Sequence, residues 1–122
     1  MKFLSEKNNI LPVTREKAEM GDAFAQYDLG MSYLEGDGVE KNVEEGVRWL
    51  KKSAENCLEA AQVTLGKLYY YGICVTRDID EAVKWAEKAA RNNDLEAQEL
   101  LSLIENYGTG IQEDAGEVTD WP

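Results

Sequence analysis

Carboxylates are the most abundant reactive groups in this 122-residue chain, with 24 Asp and Glu against 13 Lys and Arg. They cluster at Glu44/Glu45, Asp78/Asp80/Glu81 and Glu113/Asp114. Paired carboxyls can act as general acid and base when a cleft raises one pKa. Here each cluster opens a helix-like segment, where carboxylates cap free amides and complement the helix dipole, so the structural reading is the stronger one. Asp78-Ile79-Asp80-Glu81 has neither the length nor the glycine of an EF-hand loop. Gly36-Asp37-Gly38 lacks the Lys-Ser/Thr and the preceding strand of a phosphate loop and reads as a turn. Histidine is absent, which removes Ser-His-Asp and Cys-His nucleophiles and every zinc set containing His. Cys57 and Cys74 cannot supply four thiolates, are not spaced Cys-x-x-Cys, and read as small apolar packing residues. No catalytic residue, cofactor site or metal ligand is assigned.

The acid excess gives a formal net charge of −11. Phosphates would repel such a chain, which argues against nucleic acid, and an anionic membrane surface is disfavoured for the same reason. A basic protein is the natural complement. The segment 1–9 lacks the apolar run of a signal peptide, and no stretch approaches the ~18 apolar residues of a membrane span. These features predict a monomeric cytoplasmic protein with reduced thiols. The length suits one domain with a modest core.

The elements that place these residues follow from an internal repeat of 36 residues. Ala18, Ala54 and Ala90 coincide, as do Ala25, Ala61 and Ala97, Gln26, Gln62 and Gln98, and Leu29, Leu65 and Leu101. Gly36, Gly72 and Gly108 coincide, and all three tryptophans, Trp49, Trp85 and Trp121, share one position of the register. Segments 18–53 and 54–89 are identical at 13 of 36 positions without a gap. Each unit reads as two helices. The first covers 22–35, 58–71 and 94–107, with the stripe Ala25, Leu29, Tyr33 repeated as Ala61, Leu65, Tyr69 and a glycine stop. The second covers 43–55 and 79–92, opened by capping boxes at Asn42-Val43-Glu44-Glu45 and Asp78-Ile79-Asp80-Glu81.

A helical wheel places Trp49 about 160° from Val47, off the stripe Val43, Val47, Leu50, Ala54. A recurring off-stripe tryptophan requires a second buried face. Phe24, Tyr27, Met31 and Leu34 likewise lie opposite Leu29, and Val63, Tyr70 and Leu103 recur there. Two buried faces per helix predict stacked hairpins rather than a simple bundle. Gly30 and Gly66, inside helices, need close axis approach to justify a cost of about 1 kcal/mol each. Pro12 is expected to interrupt an N-terminal helix, leaving Thr14–Met20, with Ile10, Leu11, Val13 and Ala18 covering the end of the first repeat.

Ala25-Gln26-Tyr27-Asp28-Leu29-Gly30-Met31-Ser32-Tyr33-Leu34-Glu35-Gly36-Asp37-Gly38-Val39 resembles the first half of a Sel-1-like repeat. Val47-Arg48-Trp49-Leu50-Lys51-Lys52-Ser53-Ala54 and Val83-Lys84-Trp85-Ala86-Glu87-Lys88-Ala89-Ala90 resemble its second half. The resemblance covers residues 18–121 and implies an all-α fold, an α/α solenoid of about three helix-turn-helix repeats with capping segments. The division would be 1–21 as arm and cap, 22–57 and 58–93 as two repeats, and 94–122 as a partial third with an acidic tail. It also implies a right-handed superhelix used for protein–protein contacts, and no reaction. Cys74 stands where the loop has its second glycine, so a changed loop conformation is expected there. The tail would dock Trp121.

In such hairpins the first helices line the concave partner surface. Tyrosine is a preferred interface anchor, which makes Tyr27, Tyr70, Tyr71 and Tyr107, with the acids Asp28, Glu35 and Glu99, the candidate partner-binding residues. Glu96 and Glu105 would add acidic character. The expected function is a non-catalytic module holding a basic protein, in its sharper form an immunity protein or inhibitor of a toxin. A peptide-binding adaptor in a bacterial regulatory or stress pathway is the alternative, and a small carboxylate-based hydrolase is a weak third.

Overall fold

The computed structural model describes residues 12–107. Within them are six helices and no strand: α1 over 12–19, α2 Ala23–Glu35, α3 Val43–Glu55, α4 Glu59–Tyr71, α5 Ile79–Ala90 and α6 Leu95–Tyr107. Two compact units divide the chain, Met1–Gln62 and Val63–Pro122. Ile10, Leu11, the acidic tail and Trp121 lie outside the described residues. No described helix is long and apolar enough to cross a membrane.

Short polar side chains start the helices. The Asp22, Asn42, Asp78 and Asp94 side chains each accept from the backbone N–H three residues on, at 3.0–3.2 Å. This is N-capping of otherwise orphan amides. The boxes expected at Asn42 and Asp78 are only half built. Their own amides donate instead to the carbonyls of Tyr33 and Tyr69, both at 2.9 Å. Glu45 turns to Arg48 at 2.8 Å and Glu81 to Lys84 at 3.7 Å. The backbone tie is the better use of that amide, because it fixes the second helix of a hairpin to the end of the first. At the other end, α1 already includes Pro12 and Val13, two residues before the expected start at Thr14.

In the first unit, α2 packs against α3 around glycine. A Cβ on Gly30 would lie 2.9 Å from the Gly46 carbonyl, and one on Gly46 would lie 2.8 Å from the Gly30 carbonyl. Ser53 is fully buried and donates from Oγ to the Ala23 carbonyl at 2.7 Å. Trp49 is 5% exposed and packs with Ala18, Ala25 and Leu29, flanked by Tyr33 and Val39. The off-stripe indole thus has the second buried face that the wheel demands, made by α1 and α2. Arg48 Cζ and Lys52 Nζ lie over the ring, 5.3 and 5.8 Å from its centroid. Gln26 Nε2 donates to the Ala18 carbonyl at 2.9 Å and Gln62 Nε2 to the Ala54 carbonyl at 3.1 Å. In the first two copies the recurring Ala and Gln of the register are therefore two ends of one hydrogen bond, joining α1 to α2 and α3 to α4; Gln98, in the third, is exposed.

In the second unit α5 packs against α6, and Trp85 is 4% exposed with Lys84 and Lys88 at 4.8 and 5.9 Å from its centroid. Val63, Ala89 and Ala97 form an apolar cluster there. Gly66 is less crowded than Gly30: the flexible Leu100 Cδ2 lies 3.0 Å from a Cβ position there, and the nearest backbone atom, the Ala82 carbonyl, 3.5 Å. Ala82 holds the register position of Gly46, and its methyl accounts for the wider spacing.

Several expectations are corrected. Phe24 is 70% exposed and Val13 55% exposed, so neither belongs to a buried face. Cys57 and Cys74 are exposed rather than packed inside. The Cys74 loop is not rebuilt: Cys74 takes φ 69°, close to the 83° of Gly38 at the same register position. Cys57, at φ 69°, stands in register with Gly21 at φ 102° and Asn93 at φ 64°. Helix termination dictates a left-handed residue after α3, and cysteine accepts it.

Gly30→Ala is expected to destabilise by more than 1 kcal/mol, since overpacking against backbone costs about 1–3 kcal/mol. Gly66→Ala should be within about 0.5 kcal/mol of neutral, because the helix-propensity gain of about 1 kcal/mol offsets a small shift of Leu100. Urea denaturation of the two variants checks the contrast. Cys57→Gly should stabilise by roughly 0.5–1 kcal/mol, because a side chain in the left-handed region costs about 1–2 kcal/mol and glycine returns only part of that as chain entropy. Thermal melts under reducing conditions measure it.

Candidate functional site

The candidate residues separate by burial. Tyr70 is fully buried, with Arg77 Nε donating to its carbonyl at 2.8 Å and the guanidinium 5.9 Å from its ring centroid. It is a core residue and cannot serve as an exposed anchor. Tyr71, one residue on, is half-buried and meets the Tyr70 ring edge-to-face at 4.9 Å. Tyr27 is half-buried, and Asp28 and Glu35 are exposed. The Tyr107 side chain lies outside the described part of the molecule. Tyr33 and Tyr69 serve the hairpins: Arg15 donates to the Tyr33 hydroxyl, and Tyr69 is buried.

Two candidates, Tyr71 and Glu99, come together in the second unit. They line a cavity of about 210 Å³ with Lys67, Glu96, Leu100 and Leu103. Lys67 and Tyr71 come from consecutive turns of α4, at i and i+4; the other four come from one face of α6. Leu100 is buried and Leu103 half-buried, which gives the cavity an apolar floor. Lys67 Nζ lies 3.5 Å from Glu96 Oε2, an exposed pair that adds little stability. Glu99 is exposed and has no ion pair or hydrogen bond among the described residues.

Sequence reasoning missed Lys67, Leu100 and Leu103, although the register carried a signal. Positions 36 residues before the α6 residues hold Ala60, Val63, Thr64 and Lys67, and those before Lys67 and Tyr71 hold Met31 and Glu35. None of the six residues around the cavity repeats its counterpart. Two further depressions, at Tyr33/Val39/Lys41 in the first unit and at Glu87/Arg91/Leu101 in the second, bring no candidate pair together.

The site's chemistry is that of recognition. Glu96 and Glu99 both face water, so the apolar enclosure that general acid catalysis draws on is not built around them. Among the described residues no three Cys, Asp or Glu side chains are grouped to hold a metal. An acid at the mouth, an aromatic wall and a leucine floor suit a long side chain with a cationic end.

The Sel1 repeat family model matches residues 23–56 and 59–94. The chain is similar to a Sel1 repeat protein of Oxalobacter formigenes, at TM-score 0.73 and 38% identity over 82% of this chain and 74% of that one. It is similar also to a protective antigen present in uropathogenic Escherichia coli strains that displays an SLR fold, at TM-score 0.77 and 36% identity over 91% of this chain and 24% of that one. An F-box protein of Arabidopsis thaliana is 41% identical over 51 residues, 42% of this chain and 14% of its own length. A sel1-like repeat-containing protein of Acanthamoeba polyphaga mimivirus is 42% identical over 38 residues, 31% of this chain and 6% of its own. The chain thus spans a small part of both of those relatives. The fold class is all-α, an α/α solenoid of helix-turn-helix repeats.

The division of roles between neighbouring tyrosines is testable. Tyr70→Ala should cost about 3–5 kcal/mol, the range for truncating a buried aromatic. Tyr71→Ala should cost about 1 kcal/mol or less. Chemical denaturation of both variants checks it, and equal losses would place both rings in the core.

Proposed function

The chain belongs to the Sel1 repeat family, whose members are generally protein-interaction modules, and on that premise we propose that it is a non-catalytic module whose acidic surface holds a basic protein. One observation carries this reading: a net charge of −11, with Asp28, Glu35 and Glu99 exposed on the first helices of their hairpins. Opposite charge accelerates encounter and rejects acidic competitors. The half-buried rings of Tyr27 and Tyr71 add contact area at low entropic cost. A cytoplasmic monomer with reduced Cys57 and Cys74 goes with this reading.

Its sharper form is an immunity protein or inhibitor that neutralises a basic toxin domain. Strong acidity supports it, since an inhibitor gains from fast capture of a positively charged target. The second reading, a peptide-binding adaptor in a regulatory or stress pathway, is favoured by the cavity between α4 and α6, which is of side-chain size. The partner's form separates the two: an inhibitor binds a folded domain only, whereas an adaptor binds the isolated peptide.

Calorimetric titration of the full chain against basic folded domains and arginine-rich peptides tests the reading. Binding that weakens at least tenfold from 50 to 500 mM salt is expected, in line with Debye screening. Absence of salt-sensitive binding to every basic probe would overturn it.

A further inference from the structure

We propose that the cavity between α4 and α6 is a receptor for one arginine side chain of a partner polypeptide. This rests on the basic-partner reading and gives it an address. The volume, about 210 Å³, is below the roughly 300–1,000 Å³ of pockets that enclose a small-molecule ligand, so the cavity takes a side chain and not a metabolite. Its walls change character with depth. Leu100 and Leu103 offer an apolar floor along which an aliphatic stem can lie. Glu99, exposed and without an ion pair among the described residues, offers a carboxylate for the charged end. Tyr71 offers a half-buried ring beside it.

The Lys67–Glu96 contact at 3.5 Å sets the charge balance. Lys67 engages Glu96 and leaves Glu99 as the acceptor, so the cavity carries one net negative charge. It matches one cation and would bind two poorly. A guanidinium fits better than an ammonium. It is planar, stacks on an aromatic face and pairs with a carboxylate through two parallel N–H donors, and its weaker hydration eases entry beside leucine. An ammonium would surrender more water for a single point contact.

The register supplies an independent argument. Residues that build the hairpins repeat every 36 positions, whereas the cavity residues do not: Ala60 and Val63 become Glu96 and Glu99, and Glu35 becomes Tyr71. The preceding copies fold without an acid at the positions of Glu96 and Glu99 and without a tyrosine at that of Tyr71. The presence of these three residues around the cavity is therefore not a demand of the fold.

The test is a ¹⁵N spectrum of the full chain titrated at low salt with an acetylated, amidated Gly-Ser peptide bearing one central arginine. Parallel titrations carry lysine or citrulline, the neutral isostere, in its place. The arginine peptide should move the amide signals of Tyr71, Glu99, Leu100 and Leu103 saturably, bind at least threefold more tightly than the lysine peptide, and lose its effect as citrulline. Glu99→Gln should weaken binding at least tenfold, while Glu105→Gln, an exposed acid on the same helix outside the cavity, should leave it within twofold. Equal losses in the two variants, or shifts mapping elsewhere, would overturn the arginine receptor and leave the basic-partner reading standing. Silence toward the arginine peptide and polyarginine would overturn the arginine receptor, and silence toward basic folded domains as well would remove the basic-partner reading.

Discussion

An indole that cannot be exposed organises the molecule. Trp49 sits on α3 away from that helix's own stripe, so its burial obliges α3 to have neighbours on two sides. Ala18, Ala25 and Leu29 meet the obligation, and a helix preceding the hairpin becomes part of the hairpin's core. Burying a tryptophan removes a large apolar surface from water, on the order of several kcal/mol at about 25 cal/mol per Å². The indole N–H is buried without a hydrogen-bond partner among the described residues, and the same holds at Trp85. Burial of apolar area outweighs the orphan donor, and the cations over each ring add a cation–π attraction. The same logic explains why Arg48 and Lys52, and again Lys84 and Lys88, bracket each tryptophan at i−1 and i+3.

Close packing makes the remaining demands. Helices two-faced in this way must approach closely, and the approach is closest where both partners lack a side chain, at Gly30 and Gly46. Once Ala82 replaces the second glycine, the backbone separation opens and Gly66 is relieved. Buried polar groups are few and each has a mechanical use. Gln26 and Gln62 give a second donor to carbonyls near the ends of the preceding helices, which also accept from the Gly21 and Cys57 amides at 3.0 Å. Gln26 Oε1 is itself held by Asn56 Nδ2 at 2.9 Å. The chain thus spends its buried hydrogen bonds at the seams between consecutive helices, where apolar packing alone would not fix the register.

What the sequence revealed was governed by period. Helices, their caps and the tryptophan position recur every 36 residues, so three imperfect copies reinforce one another; α2 and α3 fall within a residue of their expected bounds. Features that belong to one copy escaped. Tyr70 and Tyr71 differ by 100° on a wheel whose two faces are both buried, and the wheel alone gives no criterion for which ring reaches water. Composition alone makes the cysteines packing residues, whereas alignment with Gly21 and Gly38 marks both as left-handed turn positions. The reciprocal arm of each capping box failed to form because a backbone carbonyl nine residues earlier, invisible to local pattern, captured the amide first. The cavity depended on side chains from two helices that no single stretch of sequence brings together.

A repeat therefore carries its own control. Where a position returns to the same residue type, the demands of hairpin geometry suffice to explain it. Where it departs without loss of the fold, the hairpin has tolerated the change, and a cause must be sought outside the hairpin. Cys57 and Cys74 are departures with a steric cost and no cavity around them. Glu96, Glu99 and Tyr71 are departures of another kind: they add polar and aromatic groups around a leucine floor, at positions where alanine, valine and glutamate serve the previous unit. Charge repulsion among 24 carboxylates opposes compactness, so placing two more beside each other on α6 works against folding. That cost falls on the one described cavity where tyrosine, acid and leucine converge, which is the arrangement recognition of a cationic side chain requires.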